Sequence, residues 1–366
     1  MKFICNKEEL TKAINIVIRT AYSKYQKSIL ECIHIVARDG GISLDTFDTT
    51  TAMKTTLYAD ILESGQTAIP ARIFYDIISK FPSGEIHFER EGSTILLTGE
   101  NSRASLQEMD AEQFPAFPAL EGEKLCLGRK MLREMVEKTA FSVYTGEDKP
   151  IFTGLLFETD PEKQSISIVG IDGIRLAKNT AAAASTKKIR AVIPAKTLRE
   201  VSRILGEEES DIALYFTQSA CFIECDETTI YTRLLDGEFM NYQSIIPKEY
   251  RTRVRVEGKL FARSLELVLV LAKEDGSNLI RMEIGNSSIK LGAASEYGMA
   301  QDEIPILMEG EVLKIAFNAK YLLDVFRVVE DKEVFMEFDS RLKPCVIRPI
   351  EGDKFLYLVV PVNVAS

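Results

Sequence analysis

Histidine is nearly absent from this 366-residue chain: only His34 and His87 occur, each inside an alternating apolar run. Such positions read as sheet residues, so neither a histidine metal site nor a Ser-His-Asp triad is supported. The 6 cysteines, at 5, 32, 126, 221, 225 and 345, are scattered. Cys221 and Cys225 stand four apart, which is neither a Cys-x-x-Cys redox pair nor a zinc spacing, so buried reduced thiols are expected. No metal and no cofactor are expected. Long apolar runs are missing too: none approaches the ~18 residues of a membrane span, and the first eight residues hold no signal-peptide core. The expectation is a cytoplasmic protein with no membrane partner.

The composition, 46% hydrophobic and 27% charged, is that of an ordinary globular protein, and the length allows two or three domains. A net charge of −10 by itself argues against nucleic acid as a partner.

What is present is repetition. Ile193-Pro194-Ala195-Lys196 opens an apolar-periodic stretch reaching Leu205, with counterparts at Ile69–Phe81 and Phe317–Val329. Their alanines, Ala71, Ala195 and Ala319, are 124 residues apart, and a basic residue follows each: Arg72, Lys196 and Lys320. Asp48 and Asp172 keep the same step of 124. The chain therefore reads as one unit repeated three times, over 1–122, 123–250 and 251–366.

Asn6 is a plausible cap for a helix bearing Leu10, Ala13, Ile14 and Val17 on one face, and Leu132, Met135 and Val136 repeat that face in a helix over 129–141. Further helices are expected over 71–81, 196–205, 259–272 and 320–329. Alternating strands fill the remainder, with Asp39-Gly40-Gly41 as a hairpin turn. Proline and glycine break the pattern near 112–122 and 237–247, which read as links. Each unit is expected to run strand, helix, three strands, helix, three strands. The fold class is α+β, with a helix pair packed on antiparallel sheets.

Charge is unevenly spread. The six helices sum to +9, leaving −19 for everything else in a chain of net −10. Six helices of one sign on an acidic chain favour a phosphate-facing surface.

The triplication, the Ile193-Pro194-Ala195-Lys196 helix, Phe114-Pro115-Ala116-Phe117-Pro118, the stretch Ile171–Ala177, the stretch Arg233–Phe239 and the terminal Val359-Val360-Pro361-Val362 together resemble the bacterial sliding clamp, the beta subunit of DNA polymerase III. The resemblance spans the whole chain. It implies a non-enzymatic processivity factor, a homodimeric ring around double-stranded DNA that slides without sequence readout. The DNA polymerase III alpha subunit, the clamp loader and other clamp-motif proteins would dock through a peptide groove between the second and third repeats.

By position, the groove would involve Phe152, Ile171, Gly173, Ile174, Arg175, Leu176, Met240, Ser244, Ile245, Asn318, Tyr321, Val359, Val360, Pro361 and Val362. The dimer interface would involve Arg103, Leu106, Leu271, Asp302 and Glu303, with Arg103 facing Asp302 or Glu303 and Leu106 meeting Leu271. DNA contacts would come from Lys24, Lys27, Arg72, Tyr144, Lys149, Lys196 and Arg199. The family usually carries threonine and histidine where this chain has Ile171 and Ile174, and proline where it has Met240, so a more apolar groove is expected. Two other readings compete. Asp172 and Asp236 could suggest an enzyme, but each sits in an Asp-Gly turn with no base or nucleophile at useful spacing. A monomeric three-domain peptide scaffold that does not encircle DNA is the stronger rival.

Overall fold

The computed structural model describes residues 1–21, 28–38, 40–185, 187–274 and 276–364. Among them, six α-helices run at the expected places: α1 Lys7–Val17, α2 Ala71–Lys80, α3 Arg129–Glu137, α4 Ala195–Leu205, α5 Gly258–Ala272 and α6 Ala319–Val328. Asn6 caps α1 by accepting from the Glu8 and Glu9 amides at 2.9 and 3.1 Å. Leu10, Ala13, Ile14 and Val17 are buried in α1, as are Leu132, Met135 and Val136 in α3. α3 is shorter than the periodicity suggests, with a separate 3₁₀ turn following at Ala140–Ser142.

Among the described residues, more strands than three lie between the paired helices: five in the first repeat, four in the second and five in the third. The unexpected ones include Gly65–Pro70, Arg190–Pro194 and Leu313–Asn318, each leading straight into the second helix of its repeat. Their apolar residues merge with the helical pattern in the sequence, so period alone does not separate them.

By compactness the chain divides into two units, 1–130 with 200–234 and 131–199 with 235–366. The first holds an eight-stranded antiparallel sheet in which Thr51–Tyr58 of the first repeat pairs with Thr228–Arg233 of the second. Its five-stranded sheet ends on Arg103–Gln107. The second unit holds a nine-stranded sheet in which Arg175–Ala182 pairs with Phe355–Val359, the same pairing one repeat later. Its four-stranded sheet ends on Gly298–Pro305. Apolar side chains that alternate along these strands meet the helices in the core.

Both histidines are strand residues. All six cysteines are reduced thiols outside any disulfide, and five are buried, but Cys126 is exposed, on the outward side of Glu123–Gly128. Burial pushes the Cys5 and Cys32 thiols up to about 12, so they stay protonated near neutral pH. Asp39 of the expected hairpin turn lies outside the described residues.

Candidate peptide groove, sheet edges and basic helices

The groove begins with a turn. Asp172 Oδ1 accepts the amides of Ile174 and Arg175, each at 2.9 Å, while Gly173 takes a φ of 93°. One step earlier Asp48 accepts the Thr50 and Thr51 amides at 3.1 and 2.7 Å, with Thr49 at φ 77°. The repeated aspartate thus makes a repeated turn. Glycine relieves at 173 the left-handed strain that Thr49 bears.

Beyond the turn, Arg175 is the centre of the site. Its Nε donates to Asp172 Oδ2 at 2.9 Å, Nη1 to Asp324 Oδ2 at 2.6 Å and Nη2 to the Phe141 carbonyl at 2.7 Å. Its guanidinium also lies 4.6 Å from the Tyr321 ring centroid and 5.5 Å from that of Phe141. A charge buried this far needs such partners. Arg175 therefore ties the second repeat to α6 of the third.

Ile171 and Leu176 are buried in an apolar cluster with Phe239, Tyr242 and Leu358, and Phe152, Met240, Ile245 and Val360 pack against it half-buried. Ile174 is 42% and Val362 38% exposed. The Val360 amide donates to the Ile174 carbonyl at 2.9 Å, and the Val362 amide to the Ala316 carbonyl at 2.8 Å. An apolar strip with exposed members and few free polar groups is suited to a short apolar peptide. Val359 is different: fully buried, it belongs to the core of the third repeat and offers no wall. Ser244 is exposed and donates to the Asn241 carbonyl at 2.7 Å. Asn318 caps α6 through the Lys320 amide at 3.0 Å, so its side-chain oxygen is engaged. Tyr321 joins the others through Arg175. Sequence reasoning missed Phe141 and Asp324 as partners of Arg175, because nothing in the local pattern points from one repeat to a helix of another.

The proposed interface residues sit on two free sheet edges. On Arg103–Gln107, Arg103 is exposed and Leu106 half-buried. Along Gly298–Pro305, Asp302 accepts from Ser264 Oγ at 2.6 Å and Glu303 accepts from Ser288 Oγ at 2.5 Å. α5 packs on this edge strand and carries Leu267, 49% exposed, Val270, 61% exposed, and half-buried Leu271, a single face by helical spacing. Met299 is 76% exposed on the edge itself. Leu267, Val270 and Met299 were not foreseen.

Among the basic residues, Arg72, Lys149, Lys196 and Arg199 are exposed. Lys149 lies 5.9 Å from the Tyr144 ring centroid, and Tyr144 donates to Asp148 at 2.5 Å, which holds the tyrosine pKa above its ordinary value. Arg199 donates to the Ala140 carbonyl. Lys24 and Lys27 lie outside the described residues. One cation in the helical excess is not a surface charge at all. Arg129 is 3% exposed and is held by Glu208 at 2.7 Å and Asp226 at 2.5 Å.

Three successive repeats of one α+β unit, with an apolar strip beside Arg175, define a clamp fold. Profiles of the DNA polymerase III beta subunit match in order, with its N-terminal domain at 1–118, central domain at 126–241 and C-terminal domain at 243–363. The chain belongs to this family, and its function is that of a DNA polymerase processivity clamp. It is 28% identical to the beta sliding clamp of Synechococcus elongatus, over 100% of both chains. Among solved structures it is similar to a chain from Eubacterium rectale described as a DNA polymerase III beta subunit, at 30% identity and a TM-score of 0.95. It is also similar to the DNA polymerase sliding clamp of Bacillus subtilis, at 26% identity and a TM-score of 0.96. Both structural comparisons cover 100% of each chain. Among the described residues no helix is long and apolar enough to cross a membrane.

Proposed function

We propose that two copies of this chain join head to tail into a ring around double-stranded DNA, without catalysing a reaction themselves. The observation that carries this reading is the pair of free edges. Thr51–Tyr58 and Arg175–Ala182 each pair with the last strand of the following repeat. Gly298–Pro305 is their counterpart in the third repeat, and Arg103–Gln107 is the counterpart of the last strands in the first. Among the described residues both lack a neighbour on one side in a single chain, and an unpaired strand edge is a ready template for another chain. A second copy supplies the missing partner, with the exposed Leu267, Val270 and Met299 adding apolar contact. Arg103, Leu106, Leu271, Asp302 and Glu303 remain the residues assigned to this interface. Carrying over the observed register of Ile230 against Met53 sets Ala104 against Ala300.

The domains are taken as 1–122, 123–250 and 251–366. Arg72, Tyr144, Lys149, Lys196 and Arg199 are assigned to phosphate contact, together with Lys24 and Lys27, which lie outside the described residues. Such contacts carry no base information and permit sliding. The strip around Ile171, Ile174, Met240, Ile245 and Val360 is assigned to short peptides of the polymerase, the clamp loader and other partners. A cytoplasmic location fits these roles.

The test is solution mass together with a cysteine pair. Wild type should run at twice 41.0 kDa, and Ala104→Cys with Ala300→Cys should oxidise to a covalent dimer. A monomer at micromolar concentration would reject the ring in favour of a monomeric scaffold.

A further inference from the structure

The second link, 237–247, supplies Phe239, Met240, Ser244 and Ile245 to the groove, yet it contains no regular strand or α-helix, only the 3₁₀ turn Tyr242–Ile245. Something outside the link must hold it. Tyr242 is 3% exposed, and its hydroxyl donates to Glu158 Oε2 at 2.8 Å. Arg190 Nη1 donates to the other oxygen of the same carboxylate, and Arg190 Nη2 donates to the Phe239 carbonyl at 3.2 Å. One carboxylate therefore fastens the link at two points, directly through a side chain and indirectly through its backbone. A second observation points the same way. His34, on Cys32–Arg38, stacks its ring on Phe114 of the first link at 5.0 Å between centroids. Glu158 lies on Gly154–Asp160, the counterpart of that strand in the second repeat, so corresponding strands each anchor the following link, from different register positions and by different chemistry.

We propose that Glu158 is a positioning residue for the peptide groove: with Arg190 and Tyr242 it holds the second link in its docking-ready shape. This rests on the peptide-groove reading. Glu158 does not touch the peptide. It lowers the cost of binding by fixing beforehand the backbone that carries Met240 and Ile245. A hydrogen bond to a charged acceptor sets the scale of its loss.

Full-length wild type, Tyr242→Phe and Glu158→Gln would be titrated with a labelled octapeptide carrying leucine and phenylalanine anchors, and amide hydrogen exchange recorded on each. Both variants should bind about tenfold more weakly. Protection at the Tyr242 and Ser244 amides should fall, while Ser165–Ile171 in the adjoining sheet keeps its protection. Wild-type affinity in both variants would overturn the positioning role and leave the groove standing. Absence of any peptide binding by wild type would reject the groove. Exchange would then decide the inference alone, and unchanged protection at Tyr242 and Ser244 would overturn it. A uniform loss of protection across the sheet would also overturn it, because that is the mark of general destabilisation.

Discussion

The two links between repeats occupy corresponding places, but the first lies on a sheet and the second is wedged into a core. In the first, Phe114 stacks on His34 and Phe117 lies 5.8 Å beneath the Lys54 ammonium, and both phenylalanines stay half-buried. In the second, Phe239 and Tyr242 are each 3% exposed, and Phe239 meets Phe152 edge-on at 5.6 Å. Equal backbone seats thus differ in how much apolar surface they hide. The wedged link has spare side chains, Met240 and Ile245, which widen the strip beside Ile171 and Leu176. The lesson is that a repeat sets where a link runs, while burial decides whether it builds a site.

The sharpest way to break this comparison is truncation. Phe239→Ala should cost ~3–5 kcal/mol, because it empties a packed site. Phe114→Ala should cost only about 1 kcal/mol, the scale of one ring contact. With two compact units, denaturant unfolding should resolve which one each change weakens, Phe114 lying in the first and Phe239 in the second. Equal losses would erase the distinction between the links.

Arg175 gives the next largest effect. Arg175→Leu strands Asp172 and Asp324 and should cost about 3 kcal/mol, read as a lower denaturant midpoint for the second unit. Arg175→Leu combined with Asp324→Leu should recover part of that loss. No recovery would mean that the ion pair does not join α6 to the groove.

The smallest effect is one of pH. Burial, and then the hydrogen bond to Glu158, push the Tyr242 pKa up, so the folded state favours the neutral phenol. A raised folded value means that this stability is complete below the ordinary tyrosine pKa of ~10 and is lost as pH rises above it. Thermal melts should therefore show wild type losing its advantage over Tyr242→Phe above pH ~10. The first link has no buried tyrosine, so Phe114→Ala should leave that slope unchanged. A slope equal in wild type and Tyr242→Phe would remove Tyr242 as its source.

Much of this architecture was legible because repeats and periods are local. The step of 124 marked α2, α4 and α6, apolar spacing marked α1, α3 and α5, and Asp172 marked a turn that the backbone makes, as Asp48 does one step earlier. Groove candidates were legible through family resemblance, and the structure brings Phe152, Ile171, Leu176, Met240, Ile245 and Val360 onto one apolar cluster. Glu158 and Asp324 were not legible, since each acts on a partner 84 or 149 residues away and no local pattern marks such a pair.

The sequence by itself determined the triplication, the helix faces, the turns and the family, because each rests on residue order and spacing within a short window. Tertiary structure alone decided which of those residues remain available. Arg129 is spent on Asp226, Val359 is absorbed into a core while Val360 beside it stays half-buried, and among the described residues one edge of Arg103–Gln107 is left without a neighbour. The physical reason is that desolvation, ion pairing and strand pairing depend on what arrives from elsewhere in the chain, and a linear pattern does not record that arrival.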